Sequence, residues 1–273
     1  MGLTPIEYRA WKGQRTEHTK RFLVIADSIL RHSLRSKWFL AVLIIGTFLT
    51  FALPTIFLSI SPHEALTAET MVDALGNGLY FVFIIILASM LCSDLLAEDT
   101  RSNSLVLYLS RALRPEGYLL GKFSGAFLTL ALFAMLPALI MAVAITATQS
   151  GQDYVPSVEV IGETLIATAW TTLFLIPIGL MVSSVTRRKT YAAVGTFMTI
   201  FVLEIVAGIF AQYDANWELV SPGNVLAFSY DIIFGLELPS HVNEGLLLAA
   251  AMVMTIPPIV FVYYQITRRG VGK

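Results

Sequence analysis

Six long apolar stretches, at 38–60, 76–93, 123–147, 158–185, 190–212 and 245–266, constrain this chain more than any other feature. Each holds about 18 residues or more, enough for a helix to cross a ~30 Å hydrocarbon core. The chain is 56% hydrophobic and only 14% charged, where a soluble domain carries about a quarter of charged residues. The pattern predicts an all-α membrane protein of six transmembrane helices. Residues 1–37 form a polar N-terminal segment, and 38–273 form a single transmembrane domain.

Charge gives the orientation. Of the 18 Lys and Arg residues, eight lie in 1–37, four in 94–122, three in 186–190 and three in 267–273. The intervening segments 61–75, 148–157 and 213–244 have none. Basic residues stay on the cytoplasmic side of a membrane, so both termini are expected inside a plasma membrane. Most acids fall on the other side: Glu64, Glu69, Asp73, Asp153, Asp214, Glu218, Asp231, Glu237 and Glu244. The net charge of −1 hides this split. Basic residues spread over juxtamembrane ends suit phospholipid headgroups and give no nucleic-acid surface. The single cysteine, Cys92, has no internal partner and reads as a small packing residue near the inner face. No cleavable signal peptide is expected, since the first apolar run begins only at Trp38; that span reads as an uncleaved anchor.

Before the first span, Phe22, Ile25, Ala26, Ile29, Leu30 and Leu34 recur at helical spacing, with Lys20, Arg21, Asp27, Arg31, His32 and Arg35 opposite. This is an amphipathic helix running straight into the membrane, expected on the inner leaflet. Prolines 54, 137, 177, 257 and 258 sit inside apolar runs, where neighbouring helices satisfy the freed backbone groups. Gly121-x-x-x-Gly125 permits close helix approach. The external segment 213–244 is unusually apolar, with Val225–Phe228 and Ile232–Leu236 bracketed by turn signals at Pro222-Gly223 and Pro239. One or two short helices dipping back against the bundle are expected there.

Catalytic patterns are missing. There is no HExxH, no paired Cys or His set and no Gly-x-Ser-x-Gly elbow, and all four histidines lie outside the spans. Gly117 to Lys122 imitates a phosphate loop one residue short, with Phe123 where Ser or Thr would hold magnesium. One ionisable residue lies within a span, Glu204 in the fifth. A carboxylate at that depth costs ~2.5–3.5 kcal/mol, so it is expected to face a cavity or a partner, either protonated or hydrogen-bonded to Thr or Tyr hydroxyls. Glu163 falls near the outer end of the fourth span, within reach of water.

The segment 94–122 has an acidic opening at Glu98 and Asp99, a short amphipathic helix over about 104–110, and a basic exit through Arg111 and Arg114. Leu105, Tyr108 and Leu109 need cover, which favours docking on another protein. Glu98-Asp99, then Leu105, Leu109-Ser110-Arg111 and Leu119-Leu120-Gly121-Lys122 resemble the loop between the second and third spans of ABC-2 type transporter permeases, closest to the group containing the nitrous-oxide reductase maturation permease. Asn103 replaces the usual Gly before the helix, and Ala112 the usual Pro after Ser-Arg. The resemblance implies a coupling helix that docks on a separate ATPase subunit. Two permeases and two ATPases would form the complex, with ATP and magnesium in the partner and none in this chain. The implied coupling residues are Glu98, Asp99, Arg101, Ser104, Leu105, Tyr108, Leu109 and Arg111. The leading expectation is the non-catalytic permease of an ATP-driven exporter, working as a homodimer among membrane lipids. Two rivals stand beside it: a transmitter of ATPase motion to an extracytoplasmic partner protein, and a proton-coupled transporter using Glu204.

Overall fold

The computed structural model describes residues 21–60, 68–102, 104, 114–148 and 155–270. Every regular element among them is helical. The helices are α1 (Arg21–Arg35), α2 (Lys37–Thr47), α3 (Leu53–Ile60), α4 (Ala68–Gly76), α5 (Gly78–Arg101), α6 (Pro115–Thr148), α7 (Val155–Val185), α8 (Lys189–Phe210), α9 (Pro222–Ile233) and α10 (Glu244–Gly270). Among the described residues, six helical segments are long and apolar enough to cross a membrane: α2 with the start of α3, then α5, α6, α7, α8 and α10. The chain is an all-α multi-pass membrane protein. Among the described residues, Arg35, Lys37, Arg101, Arg114, Lys122, Arg187, Arg188, Lys189 and Arg268 fall at or near helix ends on one side of the bundle, and Glu69, Asp73, Asp214, Glu218 and Glu244 at or near helix ends on the other.

Burial separates the spans into two classes. In α5, α6 and α7 between 56% and 61% of the apolar window is buried, against 17% to 22% in α2, α8 and α10. The first three make the core, and the others line its flanks with Leu, Ile, Val and Phe side chains exposed. Close approach at the core depends on one glycine: a Cβ on Gly179 of α7 would lie 2.6 Å from both Cβ and Sγ of Cys92 in α5. Cys92 is thus the packing residue its isolation suggests, fully buried.

Pro54 leaves its mark one turn upstream. Lacking an N–H, it cannot continue the i→i−4 ladder, and Phe48–Ala52 widens to a π-turn that joins α2 to α3. Thr50 and Thr55 hydroxyls donate to the carbonyls of Gly46 and Phe51, at 2.7 and 2.6 Å.

The structure corrects the expected outline in three places. First, α1 does not run straight into the membrane: it ends at Arg35, and Ser36 accepts from Phe39 N to cap α2. Instead of only lying on a leaflet, α1 packs along α6, its most extensive interface. Ile25, Ala26 and Ile29 sit in the notch at Gly121 and Gly125, where an added Cβ at 125 would meet Ile29 Cδ1 at 2.7 Å and Ala26 Cα at 2.9 Å. Second, the helices of the second and third spans extend past their apolar runs: the one from Gly78 continues to Arg101, and the next begins at Pro115. Third, the segment before the second span holds α4. Met71, Val72 and Leu75 are buried on it, mainly against α9.

The apolar segment 213–244 holds two short helical elements. A 3-10 turn, Ala215–Val220, leads into α9, whose Val225, Leu226 and Tyr230 are at most 2% exposed. Helix α9 ends where Gly235 adopts φ 66°, letting Leu236 N reach the Asp231 carbonyl at 2.8 Å and Gly235 N reach Ile232 at 3.2 Å.

Candidate functional site

The last turn of α5 and the first two turns of α6 face each other across the basic end. Their closest link is Asp99. Its Oδ2 receives Lys122 Nζ at 2.7 Å and the Tyr118 hydroxyl at 2.5 Å, and its Oδ1 receives the Ser104 hydroxyl at 3.0 Å. The Asp99 and Lys122 side chains are only 16% and 11% exposed. Lys122 also sits 5.5 Å from the centre of the Tyr118 ring, and Tyr118 is fully buried. Three donors thus converge on this carboxylate, and the buried ammonium lies directly against its counter-charge. Lys122 is the lysine of the false phosphate loop: it binds a carboxylate, and Gly121 makes room for α1.

Glu98 and Arg101 behave differently. They pair at 3.1 Å in open solvent, with side chains 44% and 65% exposed, an arrangement worth about 0–1 kcal/mol. Both remain accessible to a partner, while Asp99 is turned inward. Ser102 closes α5, its hydroxyl donating to the Glu98 carbonyl at 2.8 Å. Leu105, Tyr108, Leu109 and Arg111 lie outside the described residues.

The platform beneath the loop is braced from two further directions. Ser183 of α7 places its hydroxyl in the ladder of α5, receiving Leu96 N at 3.2 Å and Ala97 N at 3.1 Å. On the other side α1 fills the glycine notch beside Lys122. Asp94 lies near Lys189 of α8 and His32 of α1, at 3.8 and 3.9 Å. The facing ends of α5 and α6 are thus tied to each other, to α7 and to α1 through close-packed or hydrogen-bonded contacts.

A model of the family described as ABC-2 family transporter protein matches residues 23–269. The chain belongs to the ABC-2 transporter family. No curated protein matches it. As an ABC-2 permease it is the membrane-spanning subunit of an ABC transporter, a class that works with an ABC ATPase subunit. The residues that carry the sequence resemblance lie between these same ends of α5 and α6 and on them.

Glu204 of this ABC-2 permease has specific partners. Its Oε2 receives the Ser221 hydroxyl at 2.6 Å, and its Oε1 receives Gly223 N at 2.7 Å. The carboxylate sits over the N-terminus of α9, where free N–H groups and the helix dipole attract negative charge. Ser221 completes the cap by accepting from Asn224 N at 2.9 Å. Sequence reasoning expected Thr or Tyr hydroxyls and found neither the serine nor the helix end, because 17 residues separate Glu204 from Ser221. Elsewhere on the acidic face, burial and then the Asp73 carboxylate hold Asp231 above the ordinary carboxylate range, so α4 and α9 meet across two acids.

Sequence reasoning also missed the hydroxyl seam inside the bundle. Thr164, Thr168 and Thr171 are fully buried on one face of α7, each donating to its own i−4 carbonyl. Thr171 also bonds Tyr230 of α9 at 2.7 Å. The i, i+4, i+7 spacing of these threonines was the available signal.

Proposed function

We propose that this permease forms the membrane half of an ATP-driven exporter, two copies joining two separate ATPase subunits docked on the 94–122 segment, with both termini in the cytoplasm. The observation that carries this reading is the Asp99–Lys122–Tyr118 anchor. An exposed, loosely held loop would absorb an ATPase movement. A loop tied at its base by a buried ion pair, a serine in the α5 ladder and a seated α1 passes it on. Glu98, Arg101 and the apolar Leu105 and Leu109 then present the docking face, and ATP and magnesium stay in the partner. The maturation-permease resemblance fits the same coupling route.

The test is Leu109→Asp in the permease co-expressed with its neighbouring ATPase. A carboxylate placed in an apolar docking groove lacks a partner and costs several kcal/mol of docking energy, about 3–5 by analogy with broken buried pairs. The expected result is normal permease level in the membrane, loss of ATPase co-purification and loss of transport. Retention of the ATPase at wild-type stoichiometry sinks the docking role. The purified permease alone should hydrolyse no ATP.

A further inference from the structure

Helices α8 and α10 both pack on α7 but scarcely touch each other. Between them runs a cleft of about 580 Å³, floored by Ile178 and Met181 of α7 and roofed by Asn216, Leu219 and Val220 of the 3-10 turn. Leu203, Ala250 and Val253 line its walls. The volume falls within the range of about 300–1,000 Å³ typical of small-molecule sites.

Four observations say what fits. The wall on α10 extends from Leu246 to Pro258, about 18 Å at a helical rise of ~1.5 Å per residue, close to the ~15 Å of one leaflet's hydrocarbon. The lining carries no charge, and its two polar side chains are already engaged. Thr199 donates to the Gly195 carbonyl at 2.8 Å, and the Asn216 amide donates to Asp214 at 3.0 Å. A polar solute would find little beyond the Asn216 side-chain oxygen to replace its water. At the roof, Tyr213 and Trp217 are 83% and 42% exposed, and such aromatic residues mark the membrane–water interface. The groove therefore lies below headgroup level, in the leaflet opposite the basic ends. Finally, its mouth is acidic: Asp214 holds Asn216, Glu218 pairs with His241 at 3.0 Å, and Glu244 opens α10. Segments 61–75, 148–157 and 213–244 supply no Lys or Arg to meet a bare phosphate.

We propose that the α8–α10 groove binds the acyl chain of a phospholipid from the acid-side leaflet, with an amine-bearing headgroup such as phosphatidylethanolamine at its mouth. The groove is rigid on the α7 side and open to lipid on the other, so a chain enters sideways. The site stands on the fold alone and not on docking of the ATPase.

The experiment uses the full-length permease in liposomes containing a diazirine-tailed phosphatidylethanolamine or phosphatidylglycerol, with cross-linked peptides mapped by mass spectrometry. Label should concentrate in peptides covering 199–220 and 246–258. The ethanolamine probe should exceed the glycerol probe by up to about five-fold, the ratio one surface charge contact provides. Ala249→Trp, at an exposed lining position, should abolish groove labelling while membrane level and elution profile stay normal. Asp214→Asn with Glu218→Gln should keep the label in the groove and erase the headgroup preference. Even labelling across the groove and the Leu128–Leu132–Ile140 face of α6, unchanged by Ala249→Trp, overturns the site. Equal labelling by both probes in the wild type overturns the headgroup assignment. Efficient disulfide cross-linking of Val253→Cys between two permeases, with no groove label, assigns the groove to a second copy of the chain instead.

Discussion

Asp99 shows how much one side chain can decide. Sequence reading grouped it with Glu98 as an acidic pair facing a partner; the fold separates them, one to solvent and one to Lys122. Asp99→Asn leaves a nine-tenths buried ammonium without its counter-charge, and the expected loss is ~3–5 kcal/mol of stability. The double variant Asp99→Asn, Lys122→Met should recover most of it, because the uncompensated buried charge is gone. Thermal unfolding in detergent reads both, and a double variant no better than the single would show that the pair is not the anchor. Glu204 is a second residue whose role depends on its partners. Glu204→Leu removes both acceptors at the start of α9 and should cost ~1–3 kcal/mol, whereas Glu204→Gln keeps a hydrogen-bond acceptor and should cost less. Transport by the Gln variant at the wild-type rate from pH 5 to 8 would leave the carboxylate as a cap; loss of transport with α9 intact would restore the proton-site reading.

At the scale of elements, the seating of α1 depends on the absence of two side chains. The amphipathic period of 21–35 reveals a helix with one apolar face, and membrane surface satisfies that period as well as a protein groove does. Only the contact at Gly121 and Gly125 distinguishes them. Gly125→Val puts atoms where Ile29 and the Ala26 backbone now lie, so α1 should lift from α6. Trypsin cleavage at Arg31 and Arg35 should accelerate by at least an order of magnitude if the docked state holds α1 by ~1.4 kcal/mol or more. Unchanged cleavage would mean that α1 is held by lipid rather than by α6. The same logic explains why α4 was missed. Its nine residues are too few to hold a helix alone, and they pack on α9, a segment more than 140 residues further along.

Across the whole molecule, the unequal ends predict a definite orientation. After removal of Cys92, single cysteines at 66, 152 and 240 should react with an impermeant thiol reagent in intact cells, and those at 12, 103 and 188 should not. The reverse labelling pattern would invert the topology, and with it the placement of the ATPase.

The family came from the resemblance of the 94–122 motif; apart from it, sequence alone determined the number of spans, their limits to within a few residues at most ends, and the separation of basic from acidic segments. These follow from local composition: a run of apolar residues needs no distant partner to be expelled from water, and a charge stays out of hydrocarbon wherever the chain leads. Which acid turns inward, what Glu204 holds, why Gly121, Gly125 and Gly179 must be bare, and where α8 and α10 part were decided by tertiary structure. Each is a meeting of residues distant along the chain, such as Asp99 with Lys122, Cys92 with Gly179 and Glu204 with Ser221. Within hydrocarbon a polar group must find such a partner because water is not available, and periodicity carries no record of which partner that is.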